Sequence, residues 1–286
     1  MVRSKSKISI VIPVYNEAES LAECLRAIVH QSVQPYEVIV VDNNSSDSSA
    51  LVASSFPNVK LMQETKQGVI HARTSGFNAA SGSVIARIDA DTIIPVDWVK
   101  RVDQIMSNDD IAAVSGSPDY YDFLFPSLTN FLDRMARKFL EGRLKDRMFL
   151  HGSNMAIRTR AWHKVANELC VCRGIHEDLD LAIHLQETGL TVIYDQTLVA
   201  GISVRRLNND FNNFINYTLV SPRTYAAHQL KCQRYMYPVV FFTWAAYFPA
   251  HLAYLSFDPA KRSFSFRYLI DSKLRESRID PTINVV

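Results

Sequence analysis

The chain has 286 residues, 48% of them hydrophobic and 21% charged, which is material for one large domain with an appendage. Its net charge of +2 is too small to argue for a nucleic-acid or acidic partner. The four cysteines, Cys24, Cys170, Cys172 and Cys232, lack zinc-type spacing and fit a reducing compartment.

The basic start MVRSKSK leads into a short apolar run that contains Pro13, with no small-residue cleavage site after it, so no signal peptide is expected. That run, Ile8 to Val14, is nearly continuous and β-branched, as in a parallel strand buried on both faces. Asn16-Glu-Ala-Glu19 reads as a helix start with Asn16 as N-cap and Glu19 reaching back, and Leu21, Leu25 and Ile28 supply the apolar stripe. Val38–Val41 is a second strand ending at Asp42, and Val59–Met62 a short third. Gly68 to Ala80 is a predicted helix that stops at Ser81-Gly82. Val84 to Ile88 is a fourth strand running into Asp89-Ala90-Asp91.

Strands alternating with helices imply a parallel, doubly wound sheet, whose ligands bind outside the carboxyl ends of the strands. Three of those ends carry polar clusters: Tyr15-Asn16-Glu17, Asp42-Asn43-Asn44 and Asp89-Ala90-Asp91. The loop preference of Asn, Asp and Ser accounts for any one of them, but three on one edge point to a site. Strand alternation would turn Asp89 and Asp91 the same way. Neither G-x-G-x-x-G nor G-x-x-x-x-G-K-[ST] occurs, which argues against a dinucleotide enzyme or a P-loop NTPase.

In the second half, the aromatic stretch Asp119–Phe139 is either an insertion over the site, an acceptor platform or ordinary core. HGSNMAIRTRAW (151–162) is a glycine-containing turn entering an alternating segment. RGIHEDLDLAIHLQETG (173–189) is a predicted helix from Glu177-Asp178 to Gly189, with Leu179, Ala182, Ile183 and Leu185 inward. The helix dipole alone accounts for carboxylates in its first turn; it does not account for Gly174 and His176 just before them. From Tyr235 to Phe257 no residue is charged, which is long enough to cross a bilayer. Pro238, Pro249 and His251 oppose a simple span, and a span from a cytosolic catalytic half would place Lys261, Arg262 and Arg267 outside. The preferred reading is a broken, interfacial pair of helices with basic flanks toward anionic lipid; a buried C-terminal hairpin is the alternative.

IVIPVYNEAESLAECLRAI, EVIVVDNNSSDSS, the segment with Gly68, Ala72, Arg73 and Gly76, IDAD and HEDLDLA occur in this order and at compatible spacing. Over roughly Ile8 to Ala200 the chain thereby resembles family 2 glycosyltransferases of the GT-A fold, an αβα nucleotide-binding sandwich. The resemblance implies a catalytic domain over 1–205, its nucleotide-binding half about 1–95 and its acceptor half about 96–205. Residues 206–286 would form a C-terminal helical region, with 235–257 its candidate membrane-interface segment. It implies that Pro13, Tyr15 and Glu17 line the nucleotide pocket and that Asp42, with Asn44 beside it, binds the base, most often uracil. Arg73 would sit near the diphosphate or hold Asp89. Asp89 and Ala90 belong to the donor-binding turn, with Asp89 on the ribose or sugar, and Asp91 is the expected ligand of Mg2+ or Mn2+.

Asp178 is the expected general base, and Glu177 a candidate diphosphate or acceptor contact. A base favours a hydroxyl acceptor on a glycan or lipid-linked glycan, because a polyprenyl phosphate attacks with an oxygen that is already anionic. The region TLVAGISVRRLNND lacks the histidine that many relatives use as a second metal ligand. Arg205 and Arg206 there either stabilise the diphosphate or are solvated surface residues. The expected activity is inverting, metal-dependent transfer from a nucleotide-diphosphate sugar at the cytoplasmic face of a membrane, in cell-envelope or polysaccharide synthesis. The rival readings are a polyprenyl-phosphate transferase, a nucleotidyltransferase on a related sheet and a non-catalytic sugar-nucleotide-binding or scaffold protein.

Overall fold

The computed structural model describes residues 6–123, 125–144, 149–172, 174–208, 211–258 and 263–265; Lys261, Arg262, Arg267 and the side chain of Arg206 lie outside this description. In chain order the elements are β1 (Ile8–Val14), α1 (Ala18–Val29), β2 (Glu37–Asp42), α2 (Ser49–Ser54), β3 (Val59–Gln63), α3 (Val69–Ala79), β4 (Val84–Arg87) and α4 (Trp98–Ile105). They continue with β5 (Ile111–Tyr120), α5 (Pro126–Leu144), β6 (Met155–Arg158), α6 (Thr159–Val165), α7 (Glu177–Glu187) and β7 (Thr191–Ile202). The last are α8 (Phe211–Thr218), α9 (Val220–Ala227), α10 (Met236–Ser256) and a short hairpin, β8 (Phe257–Asp258) with β9 (Ser263–Phe264). Two compact units result: the first holds residues 1–118, 145–173 and 177–201, the second 119–144, 174–176 and 202–286.

The first unit is built on a seven-stranded sheet in the order β3-β2-β1-β4-β6-β5-β7. The first four strands in that order are parallel, as the β-branched runs imply; β6 pairs antiparallel with both β4 and β5, so the sheet is mixed. Successive strand residues feed two cores. Ile8, Ile10, Ile12 and Val14 point toward α1, α2 and α4. Val11, Ile39, Val41 and Ile85 point toward α3, α6 and α7, with Trp162 and Phe77 among the large groups there. A methyl group at Gly76 would overlap the Val11 side chain, so α3 approaches the sheet more closely than a residue with a Cβ would permit.

Helix α1 starts one residue later than its motif suggests, with Glu17 at the N-cap position. Asn16 has φ +53, a left-handed backbone rather than the extended one of a cap, and its N–H donates to Ser45 Oγ. Asp47, from the loop after β2, accepts from Ala18 N–H at 3.0 Å and so does the capping from outside the motif.

The second unit is helical. Its long helix α10 is one continuous element and not the broken pair expected from its prolines. Pro238 falls in the first turn, where its missing N–H has no intrahelical acceptor, and the helix runs on through Pro249. Its inner side packs Tyr247 against Phe211 and Phe214, and Trp244 Nε1 donates to Thr218 Oγ1 at 2.7 Å. Together with the preceding turn, Lys231–Ser256 is long and apolar enough to cross a membrane.

Candidate active site

Parallel pairing in register (Val14 opposite Asp42, Val11 opposite Arg87) sets the carboxyl ends of β1, β2 and β4 side by side. The three polar clusters therefore share one edge. Their loops are tied to one another: Asn16 Oδ1 accepts from Ser46 N–H at 2.8 Å, and Ser49 Oγ accepts from Glu17 N–H at 2.9 Å. Asn43, buried, donates to the carbonyls of Glu64 and Lys66 and accepts from Gly68 N–H at 2.7 Å, fixing the entry to α3. Asn44, at φ +63, donates to the Thr65 carbonyl at 2.8 Å. Between these loops Tyr15 is exposed, Pro13 and Glu17 half-buried, and Asp42 buried with one oxygen accepting from Ser45 N–H at 3.3 Å.

Asp89 and Asp91 lie beyond the end of β4. The chain turns there, with Thr92 N–H donating to the Asp89 carbonyl at 3.0 Å, so a turn and not strand alternation brings the pair together. Both carboxylates act on the same group: burial first, then Asp91 and Asp89, push the Cys24 thiol well above its ordinary value.

At the centre is Arg87, a charged residue at the end of an apolar strand and 3% exposed. Its Nη2 donates to Asp89 Oδ1 at 3.2 Å and to Glu177 Oε1 at 3.3 Å, and its Nη1 donates to Glu177 Oε1 and to Asp178 Oδ1. Burial works against the guanidinium's charge, but the Asp178, Asp89 and Glu177 carboxylates outweigh it and raise its pKa. Gly152 makes room, since a methyl group there would overlap the guanidinium, and its N–H donates to Asp178 Oδ2 at 2.7 Å.

Arg73 is fully buried in α3; its Nη1 donates to the Glu177 carbonyl at 2.9 Å and lies 4.0 Å from Asp178 Oδ1. Burial lowers its pKa, and Arg87 nearby adds to the effect. Arg87, and not Arg73, reaches Asp89. Motif reading passed over Arg87 and Gly152, although an arginine in a buried strand is itself a signal, because such a charge persists only when paired. Pro13, Tyr15, Glu17, Asp42, Asn44, Arg73, Asp89, Ala90, Asp91, Glu177 and Asp178 all belong to the first unit; Arg205 belongs to the second.

A mostly parallel, mixed αβα sheet with polar strand-end loops, a paired-aspartate turn after the fourth strand and an acidic pair opening a later helix define a GT-A glycosyltransferase. The sequence model of glycosyl transferase family 2 matches residues 9–165, more than half of the chain, and the chain belongs to that family. Among curated proteins it is 33% identical over 120 residues to glycosyltransferase AglE of Haloferax volcanii, covering 40% of each chain. It is also 39% identical over 105 residues to an undecaprenyl-phosphate 4-deoxy-4-formamido-L-arabinose transferase of Serratia proteamaculans, covering 34% of this chain and 32% of that one. The matches thus span about two fifths or less of these relatives.

Of solved structures, the mannosyltransferase PcManGT of Pyrobaculum calidifontis, in complex with GDP-Man and Mn2+, superposes with a TM-score of 0.66 at 17% identity, covering 96% of this chain and 80% of its own. Glucosyl-3-phosphoglycerate synthase of Mycobacterium tuberculosis, with Mn2+, UDP-glucose and phosphoglyceric acid, gives 0.56 at 18%, covering 79% and 80%. These likenesses establish the fold.

Proposed function

We propose that this glycosyltransferase moves a sugar, with inversion, from a nucleotide-diphosphate sugar to a hydroxyl of a glycan or lipid-linked glycan at the cytoplasmic face of a membrane. The observation that carries the reading is the gathering of Asp89, Glu177 and Asp178 on Arg87, which joins the donor-side aspartate to the acidic pair through one guanidinium. Pro13, Tyr15 and Glu17 border the nucleotide; Asp42 and Asn44 meet a base, uracil by the resemblance, and Asp89 the ribose or sugar. Arg73 acts through the Glu177 carbonyl. For Arg205 and Arg206 the role of diphosphate or acceptor contact rests on the resemblance alone.

Asp89 and Asp91 offer hard carboxylate oxygens in a partly buried turn, a donor set that suits Mg2+ or Mn2+ shared with phosphate oxygens and water. Such an ion, when bound, neutralises charge on the departing diphosphate. The protein's own contribution is the proton: Asp178 takes it from the acceptor hydroxyl, a step worth about 10²–10⁴-fold in rate. In this geometry Asp178 Oδ1 is engaged by Arg87 and Oδ2 by Gly152 N–H. The acceptor hydroxyl must replace the Arg87 contact, and Glu177 and Asp89 keep Arg87 paired when it does.

A second reading is transfer to a polyprenyl phosphate, favoured by the arabinose-transferase relatives named for undecaprenyl phosphate. It needs no base, so the two readings differ at Asp178. The test is a thermal-shift panel of UDP-, GDP-, CMP- and dTDP-sugars with Mn2+ or Mg2+, followed by transfer assays on glycan and polyprenyl-phosphate acceptors. Metal-dependent stabilisation by one nucleotide family supports the donor reading; stabilisation by none overturns it.

A further inference from the structure

Helix α5 carries large apolar groups on its outer side as well as its inner one, where Leu140 and Leu144 are buried. Its inner side also carries charge: Arg137, 8% exposed, pairs with Asp133, whose Oδ1 accepts from Tyr120 OH at 3.3 Å. One turn earlier Asn130 donates to Asp119 Oδ1 at 2.6 Å and accepts from Tyr120 N–H at 3.1 Å. Its outer side carries five large apolar groups. Leu128, Leu132, Met135 and Phe139 recur at three- and four-residue spacing with Phe131 beside them, and all five are 36–56% exposed. A helix facing water carries polar groups along that outer side.

The border of this apolar stripe is basic. Helical geometry places Arg134 and Lys138 along one edge and Arg143 along the other, all three exposed, with the Arg143 guanidinium 3.9 Å from the Phe139 ring centroid. Glu141 is the one exposed acid on the helix, because Asp133 is turned inward. In the same unit α10 leaves Tyr237, Phe241, Phe242, Phe248 and Leu252 exposed along a side with no charge at all.

We infer that the outer face of α5 is a lipid-docking surface for an anionic membrane, on which the helix lies flat with its apolar stripe in the acyl boundary and its three basic residues at the headgroups. The charge decides the occupant. An apolar stripe edged by lysine and arginine is what a negatively charged interface selects, whereas a second copy of the same face would bring like charges together. At 19 residues the helix is about 28 Å long, enough for five apolar groups to engage one leaflet. Its buried inner side excludes crossing the bilayer, since the Asp133–Arg137 pair would go with it. This rests on the membrane reading proposed above and assigns it a second element, independent of α10.

The test is flotation of the full chain with phosphatidylcholine vesicles, with and without about one third phosphatidylglycerol. Each basic group near an anionic surface strengthens binding roughly fivefold, so Arg134→Glu/Lys138→Glu/Arg143→Glu is expected to lose anionic vesicles by on the order of a hundredfold or more. Leu132→Gln/Met135→Gln, which spares the charges, is expected to weaken binding to both vesicle types. Wild-type affinity in either variant overturns the inference and leaves attachment to α10. Loss of a dimer on sedimentation, with vesicle binding intact, overturns it in favour of a second copy. Nucleotide binding by the same samples reports on the first unit. A wild type that binds nucleotide and ignores vesicles defeats the membrane reading while the transferase reading stands.

Discussion

Replacing Arg87 by methionine tests how the site is held together. The substitution keeps a long apolar stem and removes the guanidinium from three carboxylates at once. Asp178, whose side chain is 4% exposed, keeps the Gly152 N–H but loses its nearer cation, with Arg73 Nη1 4.0 Å away; Asp89 and Glu177, at 37% and 17%, retain some access to water. Breaking a buried ion pair from one side costs about 3–5 kcal/mol, and most of it falls on Asp178. For a unit of this size each kcal/mol moves the melting temperature by about 2–4 °C, so a fall of roughly 6–20 °C is expected.

Asp178→Asn is milder, because the amide oxygen still accepts from Gly152 and Arg87 still holds two carboxylates; about 1–3 kcal/mol is expected, as for a hydrogen bond to a charged group. In the double variant the carboxylate charge that Arg87 balanced is gone, so its loss should be smaller than the sum of the single losses by about 0.5–3 kcal/mol. Thermal and urea unfolding, followed by circular dichroism, measure all four corners of this cycle. An Arg87→Met protein that melts within 2 °C of wild type, or a strictly additive cycle, would refute the claim that Arg87 and Asp178 are coupled.

Asp178→Asn is also expected to reduce turnover by about 10²–10⁴-fold while nucleotide affinity stays within a factor of about two. Near-normal turnover on a hydroxyl acceptor removes Asp178 from the proton-transfer role. Asp91→Ala is expected to abolish the gain in nucleotide affinity that Mn2+ or Mg2+ confers, as read by calorimetry; metal-independent binding of equal strength in both proteins counts against the metal role. Gly152→Ala forces the Arg87 guanidinium aside and should cost about 1–3 kcal/mol, with a matching loss of transfer. Glu37 ties Ser9 to the Ser81 turn; burial raises its pKa, but hydrogen bonds from Ser9 and Ser81 outweigh burial and hold it below its ordinary 4.5. Its stabilisation is therefore present above pH 4.5 and lost as pH falls through the lowered value. Urea midpoints of wild type and Glu37→Gln should converge in acid, and a gap that widens there would contradict the sign.

Local signals carried the parallel half of the fold. Three apolar runs each ending in a polar cluster, at β1, β2 and β4, specify buried parallel strands with their ligand edge, and the helix at Glu177 announces itself by its acidic start and Gly189 stop. The antiparallel half was not legible, because β6 pairs with both β4 and β5 across long stretches of chain and no local periodicity encodes such pairing. The prolines of α10 misled for a related reason: their effect depends on position within the turn, which residue type alone does not give. At the site, Asp89, Asp91, Glu177 and Asp178 were readable as carboxylates in motifs. Their organiser was not, because Arg87 precedes the motif and its partners Glu177 and Asp178 lie 90 and 91 residues away.

That separation sets an order of assembly. The segment matched by the family, residues 9–165, contains Arg87 and Asp89 but ends before Glu177 and Asp178. A nascent chain emerging from the ribosome to that point can pair its parallel strands, yet it would bury Arg87 with only Asp89 beside it. Closing so long a loop is slow, and until α7 docks the guanidinium has reason to stay in water. The fourth strand should thus remain loosely held until α7 arrives, making donor-site maturation a late event in folding that hydrogen exchange on truncated chains can time.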